Sequence, residues 1–271
     1  MNVKSNLDNR NSDDIILIFY IIISYAITWS ILFPLSVVYN QLNIIEREIW
    51  HSIGSIGPSI GGIIAIYLSK KKEGLLMLKK RLVKFSSYKL LLFALIPIII
   101  LICCLFVEYF IGVFNPASFF QEFNITNPGS LIAFILPSLC YGVFEEIGWR
   151  GYFLPRLQSK FNALTSTIIL TVIWWFWHFP AFFYRFDLLF ALLFMFPLML
   201  TGSIVFTFLF NQSKGSVLMV IILHICYDLI SAHQISITAI IIVSTFFIFM
   251  DIRIIKRYGY ENLSVFKRVM L

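Results

Sequence analysis

Long apolar runs are the feature that most constrains how this chain can fold. They recur throughout the 271 residues, of which 59% are hydrophobic and only 13% are charged. An α-helix of roughly 20 apolar residues crosses a bilayer core about 30 Å thick. The runs therefore predict an all-α fold, a polytopic membrane helix bundle. We expect about eight transmembrane helices, near residues 15–39, 51–69, 90–114, 131–155, 163–183, 189–210, 216–231 and 235–250.

The chain is expected to form a single integral membrane domain over residues 1–271, because no internal repeat and no Pro/Gly/Ser-rich linker divides it. Its first apolar run is too long for the hydrophobic region of a signal peptide, and no small-x-small cleavage site follows. We therefore expect the first run to be retained as a transmembrane helix.

The formal net charge of +7 does not indicate nucleic-acid binding, because the basic residues alternate between connections instead of forming one patch. Most of them fall in the second connection and after the last apolar run. By the positive-inside rule, this distribution predicts a multi-pass protein of the cell membrane with both termini in the cytoplasm. Within the second connection, residues 75–85 combine apolar residues at helical spacing with a basic face. This segment fits either a helix along the inner leaflet or a solvated loop that fixes orientation.

Two carboxylates and a guanidinium, in Glu145-Glu146-Ile147-Gly148-Trp149-Arg150, lie inside one of the apolar runs. Ionisable groups are costly at membrane depth and usually functional there. In an α-helix, Glu146 and Arg150 share a face, whereas Glu145 is rotated by about 100° from Glu146. The spacing predicts a supporting ion pair between Glu146 and Arg150. It leaves Glu145 free to face another cavity as a candidate general base.

Three more polar groups lie in later apolar runs: His178, His224 and Asp228. His224 and Asp228 are four residues apart, so they project from one helix face. With ordinary helix tilts of about 20°, the depths of all three can coincide with that of Glu145. The sequence therefore predicts one site within the membrane that contains all four side chains. The alternative is a structural ion cluster with histidines that only pack and form hydrogen bonds.

These residues resemble the motifs of the CPBP intramembrane proteases, a family that includes CAAX prenyl endopeptidases and Abi or bacteriocin-immunity proteins. The family pattern is E-E-x-x-x-R, then F-x-x-x-H, then H-x-x-x-[N/D], on three membrane helices. Glu145–Arg150 matches the first motif in full. His178 supplies the second, with Trp174 where Phe is customary. His224 and Asp228 supply the third, with Asp where CAAX proteases have Asn.

The resemblance covers residues 131–231, which we interpret as the protease core. Trp174 is expected to occupy a packing position, so its difference from Phe should matter little. Asp228 matters more, because a carboxylate donates hydrogen bonds as an Asn amide does only when it is protonated. That difference weakens, in particular, the inference that this chain acts on the substrate class of the CAAX proteases.

The resemblance implies hydrolysis of a peptide bond within the membrane. Glu145 and His178 would hold and deprotonate a water, and His224 would stabilise the oxyanion. Asp228 would orient His224, with Glu146 and Arg150 as support. A metal-dependent version stays open, in which His178, His224 and Glu145 bind Zn²⁺. None of the cysteines has the paired spacing of a zinc site, and we interpret all four as packing residues: Cys103, Cys104, Cys140 and Cys226.

Two other functions stay open beside proteolysis: an ion- or proton-coupled transporter, and a non-enzymatic immunity or scaffold protein. Acids, histidines and arginines inside spans also form relays in transporters, although the chain shows no inverted repeat of the kind many transporters have. For the protease, the expected partners are membrane lipids and a membrane-associated peptide or protein substrate. The sequence does not indicate an oligomeric state.

Overall fold

The computed structural model describes residues 2–122, 124, 126–231 and 235–271, with side chains described from residue 13 onward except that of residue 122. Within these ranges the fold is helical and contains no strand, which confirms the predicted all-α class. In chain order the helices are α1 Asn2–Val38, α2 Ile44–Leu82, α3 Tyr88–Ala94, α4 Ile96–Phe110, α5 Pro116–Glu122, α6 Pro128–Gln158, α7 Ala163–Trp177, α8 Leu188–Gln212, α9 Val217–Ser231 and α10 Ile237–Asn262.

Five of these helices are long and apolar enough to cross a membrane: α1, α2, α6, α8 and α10. The pair α3 and α4 forms a sixth candidate span, bent by 53° between its halves. Helices α7 and α9 are apolar but have only 15 residues each. At about 1.5 Å per residue, such helices are shorter than the bilayer core. All eight predicted segments are thus helical, and the polytopic bundle is confirmed. Two of its helices are too short to span the bilayer core fully.

Helix α2 is longer at both ends than the predicted span 51–69. It begins after Asn43, whose side chain accepts the backbone N–H groups of Ile45 and Glu46, each at 3.0 Å. The Glu46 carboxylate accepts the N–H of Asn43 in return, which completes a capping box. The helix kinks at Lys71, where φ is 52°, and continues to Leu82. Most of the basic segment 75–85 is therefore helical.

The bundle core forms where α2 and α6 approach each other at glycines. A Cβ atom added at Gly148 of α6 would lie 2.3 Å from the backbone oxygen of Pro58 in α2, well inside van der Waals contact. One added at Gly62 would lie 3.1 Å from the Gly148 Cα. Small residues permit such close approach of membrane helices. The contact buries the central part of α6, which contains Glu145 and Glu146.

Gly148→Ala is therefore expected to destabilise the bundle by about 1–3 kcal/mol, the usual cost of overpacking a tight core. The measurement is thermal unfolding of the purified protein in detergent. Gly202→Ala is the matched control, because Gly202 lies inside α8 and a Cβ there meets nothing within 4 Å. A Gly148→Ala protein as stable as the Gly202→Ala protein would contradict the close contact.

Helix α6 departs from α-helical geometry around the acids. Residues Tyr141–Glu145 and Trp149–Phe153 form π-helical turns, with Glu146–Gly148 between them. Such wide turns occur often at functional sites. The simple α-helical rotation of 100° per residue that the sequence suggested therefore does not describe this stretch of α6.

Candidate active site

Glu145 lies fully buried at the end of the first π-helical turn of α6. Its Oε2 atom accepts hydrogen bonds from two indole N–H groups, that of Trp149 at 2.9 Å and that of Trp174. Its Oε1 atom has no hydrogen-bond partner among the described residues and lies 3.7 Å from Nε2 of His178. One carboxylate oxygen is therefore held in place, and the other faces a histidine.

His178 follows directly after α7, and its ring is oriented by the last turn of that helix. Its Nδ1 atom lies 2.9 Å from the backbone oxygen of Trp174. Because a carbonyl oxygen can only accept, Nδ1 carries the proton, and Nε2 of the neutral ring is an acceptor. The ring is largely buried, with the side chain 16% exposed.

Glu145 and His178 thus present two acceptors to each other. Their separation of 3.7 Å is longer than a hydrogen bond. A water molecule has two O–H groups and can donate one to each atom at about 2.8 Å. Two acceptors at this separation are within the distance that one water molecule can bridge.

Glu146 forms the supporting half of the site. Its Oε1 atom accepts from Nη1 of Arg150 at 2.7 Å and from Nδ1 of His224 at 2.8 Å. The Glu146–Arg150 ion pair expected from the spacing is present, with both side chains fully buried. The guanidinium of Arg150 lies beside two rings, 5.0 Å from the centroids of Trp174 and Phe206. This charged cluster links α6 to α7, α8 and α9.

The role expected for Asp228, to orient His224, stays a prediction. Its Oδ2 atom lies 3.5 Å from Nε2 of His224, whereas the hydrogen bond that orients the ring comes from Glu146 at Nδ1. Spacing within α9 correctly places His224 and Asp228 on one face, but it cannot reveal that Nδ1 points across to α6. With a carboxylate at each nitrogen, a doubly protonated His224 has an acceptor for both N–H groups.

The expected site residues come together, but as pairs. Glu145 faces His178, and Glu146 binds His224. Among the residues that the structure describes, no three His, Cys, Asp or Glu side chains form a group that could hold a metal ion. The suggested zinc set of His178, His224 and Glu145 stays a prediction, and the chemistry proposed for the site uses these side chains without a metal.

Sequence reasoning missed the part played by the tryptophans. It treated Trp174 as a packing residue, yet Trp174 donates to Glu145 and its carbonyl accepts from His178. Trp149 was visible inside the first motif but was given no role. The signal that could have found them is chemical, because an indole is a large aromatic group whose N–H can donate a hydrogen bond to a buried carboxylate.

A second polar layer lies beside His178. The ring of Tyr141 is 6.4 Å from that of His178 and stacks on His51 at 4.7 Å. Nδ1 of His51 lies 2.8 Å from the hydroxyl of Tyr184, in the connection after α7. Burial raises the pKa of the Tyr184 hydroxyl, so this group stays protonated and forms a neutral hydrogen bond with Nδ1 of His51. The connection is tied further to α2 by an ion pair between Arg185 and Glu48.

Comparisons with known proteins agree with this site. Residues 127–230 match the sequence model of a family described as type II CAAX prenyl endopeptidase Rce1-like. CAAX prenyl protease 2 of Methanococcus maripaludis is 28% identical over 193 aligned residues, which cover 65% of this chain and 69% of that protein. The matched family range contains all three motifs, from Glu145 to Asp228. Together with the helical membrane fold, these similarities support a protease of the CPBP family.

Proposed function

We propose that this chain hydrolyses a peptide bond near the C terminus of a prenylated, membrane-associated protein or peptide, with a water activated by Glu145 and His178. The observation that carries the proposal is the free Oε1 atom of Glu145, 3.7 Å from Nε2 of His178 in a buried site. The substrate class is taken from the names of the matched family and of the archaeal relative.

The first chemical step is attack by the water. Its oxygen forms a bond to the scissile carbonyl carbon while Oε1 of Glu145 takes one proton. His178 accepts a hydrogen bond from the other O–H through Nε2 and keeps the water oriented. The carbonyl oxygen becomes an oxyanion, which an N–H of His224 stabilises.

The second step is expulsion of the amine. The C–N bond breaks as the proton held by Glu145 passes to the leaving nitrogen. The products are a shortened chain with a new carboxyl group and a released peptide with a free amine. Glu145 returns to its ionised form, so the enzyme is ready for another water.

The charged pair of Glu146 and Arg150 takes no proton in this scheme. Glu146 holds His224 through Nδ1, so Nε2, which lies 3.5 Å from Asp228, is the nitrogen that donates to the oxyanion. Arg150 balances the buried charge of Glu146. Support and chemistry are thus divided between the two adjacent glutamates.

The proposal is tested with purified protein in liposomes and two peptides that differ only in a prenyl group on the cysteine. We expect release of the C-terminal residues from the prenylated peptide by the wild type. His178→Ala is expected to release them about 100-fold more slowly, the usual contribution of a positioned acid–base group. Mass spectrometry of the products measures both rates.

Trp29→Phe serves as a control in the same assay, because the Trp29 indole donates to the backbone oxygen of Trp177, away from Glu145 and the reactive Nε2 of His178. Its activity should equal that of the wild type. If the wild type cleaved neither peptide, the proposed function would be wrong. Equal cleavage of both peptides would leave proteolysis standing and reject the prenylated substrate.

A further inference from the structure

Trp174 lies against four charged or titratable residues of the site: Glu145, His178, Arg150 and His224. Its indole N–H donates to Oε2 of Glu145, and its backbone oxygen accepts from Nδ1 of His178 at 2.9 Å. Its ring lies 5.0 Å from the guanidinium carbon of Arg150 and 5.8 Å from the ring of His224. A Phe at this position would keep the ring contacts and the carbonyl but would lose the indole donor.

The two indole donors determine which oxygen of Glu145 is free. Trp149 and Trp174 both donate to Oε2, and no described residue donates to Oε1. A rotation of the carboxylate plane away from the two indoles would leave both N–H groups without an acceptor. Buried donors without an acceptor are costly, so the observed orientation is fixed.

The same residue also fixes the state of His178. Because the backbone oxygen of Trp174 requires the proton on Nδ1, it leaves the lone pair on Nε2, which faces Oε1 of Glu145. One residue at the end of α7 therefore aligns both acceptors of the water-holding pair, one with its side chain and the other with its backbone.

We propose that Trp174 is a positioning residue for peptide hydrolysis, which acts through its indole N–H on Glu145 and through its backbone oxygen on His178. This inference rests on the proposed function. It assigns a role in the chemistry to a position that the sequence motifs leave as packing.

The test compares Trp174→Phe with Trp175→Phe. The Trp175 indole donates at 3.2 Å to the backbone oxygen of Ala191 in α8, so it is the adjacent matched control. Trp174→Phe is expected to lower kcat about 10-fold or more, the effect of losing one hydrogen bond to a charged group. KM should change less than about 2-fold, because the binding surface for the peptide is kept.

The pH–rate profile separates positioning from packing. With one donor lost, the ionised carboxylate is less stabilised, so the acid limb of the profile should move to higher pH in Trp174→Phe. Trp175→Phe should keep the wild-type kcat and profile. A purely structural role for Trp174 would lower the amount of folded enzyme without moving the profile of the enzyme that remains.

Replacement of Trp174 by β-(3-benzothienyl)alanine keeps the bicyclic ring and puts sulfur where the N–H was. It tests the donor even if Trp174→Phe fails to fold, and the same fall in kcat is expected. Wild-type kcat and pH profile in this protein would overturn the inference. Wild-type activity in Glu145→Gln would instead overturn the proposed function, so the two failures are distinguishable.

Discussion

Glu145→Gln is expected to slow peptide cleavage by about 100-fold or more, the usual contribution of a general base. Gln has nearly the same shape as Glu, but its amide cannot take a proton from water. Its NH₂ group would also face either the indole donors at Oε2 or the water at Oε1. The rate is measured as peptide released per minute per folded enzyme in liposomes.

Glu108→Gln is the matched control for this variant. Glu108 is also a glutamate in an apolar helix, but its Oε1 accepts from the hydroxyl of Ser236, near the start of α10. The control should cleave at the wild-type rate. If Glu145→Gln cleaved within about 3-fold of the wild type, the assignment of Glu145 as the base would be wrong.

Arg150→Met is expected to destabilise the protein by about 3–5 kcal/mol, the usual result when one partner of a buried ion pair is removed. The change leaves the carboxylate of Glu146 fully buried, with His224 as its remaining partner. It also removes the contacts of the guanidinium with the rings of Trp174 and Phe206. Thermal unfolding in detergent measures the effect, together with the yield of folded protein.

Two further variants separate the buried charge from side-chain size. Lys160→Ala removes an ion pair with Asp14 in which both side chains are partly exposed, so it should cost less than about 1 kcal/mol. Glu146→Gln combined with Arg150→Met removes both charges and should be less destabilised than Arg150→Met alone. Wild-type stability in Arg150→Met would show that the cluster is not the structural support inferred here.

The helices could be predicted from the sequence because bilayer thickness fixes the length of an apolar run. The ion pair of Glu146 and Arg150 could be predicted because residues four apart share a helix face. Both predictions use only local chain geometry. The joint burial of Glu145, His178 and His224 was expected from the cost of such groups in lipid. In the structure, Glu145 pairs with His178, and His224 pairs with Glu146.

Other parts of the site depend on contacts between helices, which spacing along one helix does not contain. The choice of Glu146 over Asp228 as the partner for Nδ1 of His224 depends on how α6 and α9 face each other. The donor role of Trp174 depends on the approach of α7 to the π-helical turn at Glu145. The tight contact at Gly148 depends on where α2 lies.

The division of labour between adjacent glutamates is the main consequence of this geometry. Glu146 binds a cation and a histidine through Oε1, whereas Glu145, among the described residues, accepts only from two indoles and its Oε1 faces His178. Removing Glu145 should therefore affect rate more than stability. Removing Arg150, the partner of Glu146, should affect stability first, and rate only through the position of His224.

The central claim, that the free oxygen of Glu145 activates a water for peptide hydrolysis, is tested most directly by single-turnover cleavage of the prenylated peptide in ¹⁸O-labelled water. The wild type should place one ¹⁸O atom in the new carboxyl group of the shortened product. Folded Glu145→Gln should form this product at least about 100-fold more slowly. Formation of the labelled product at equal rates by both proteins would contradict the claim.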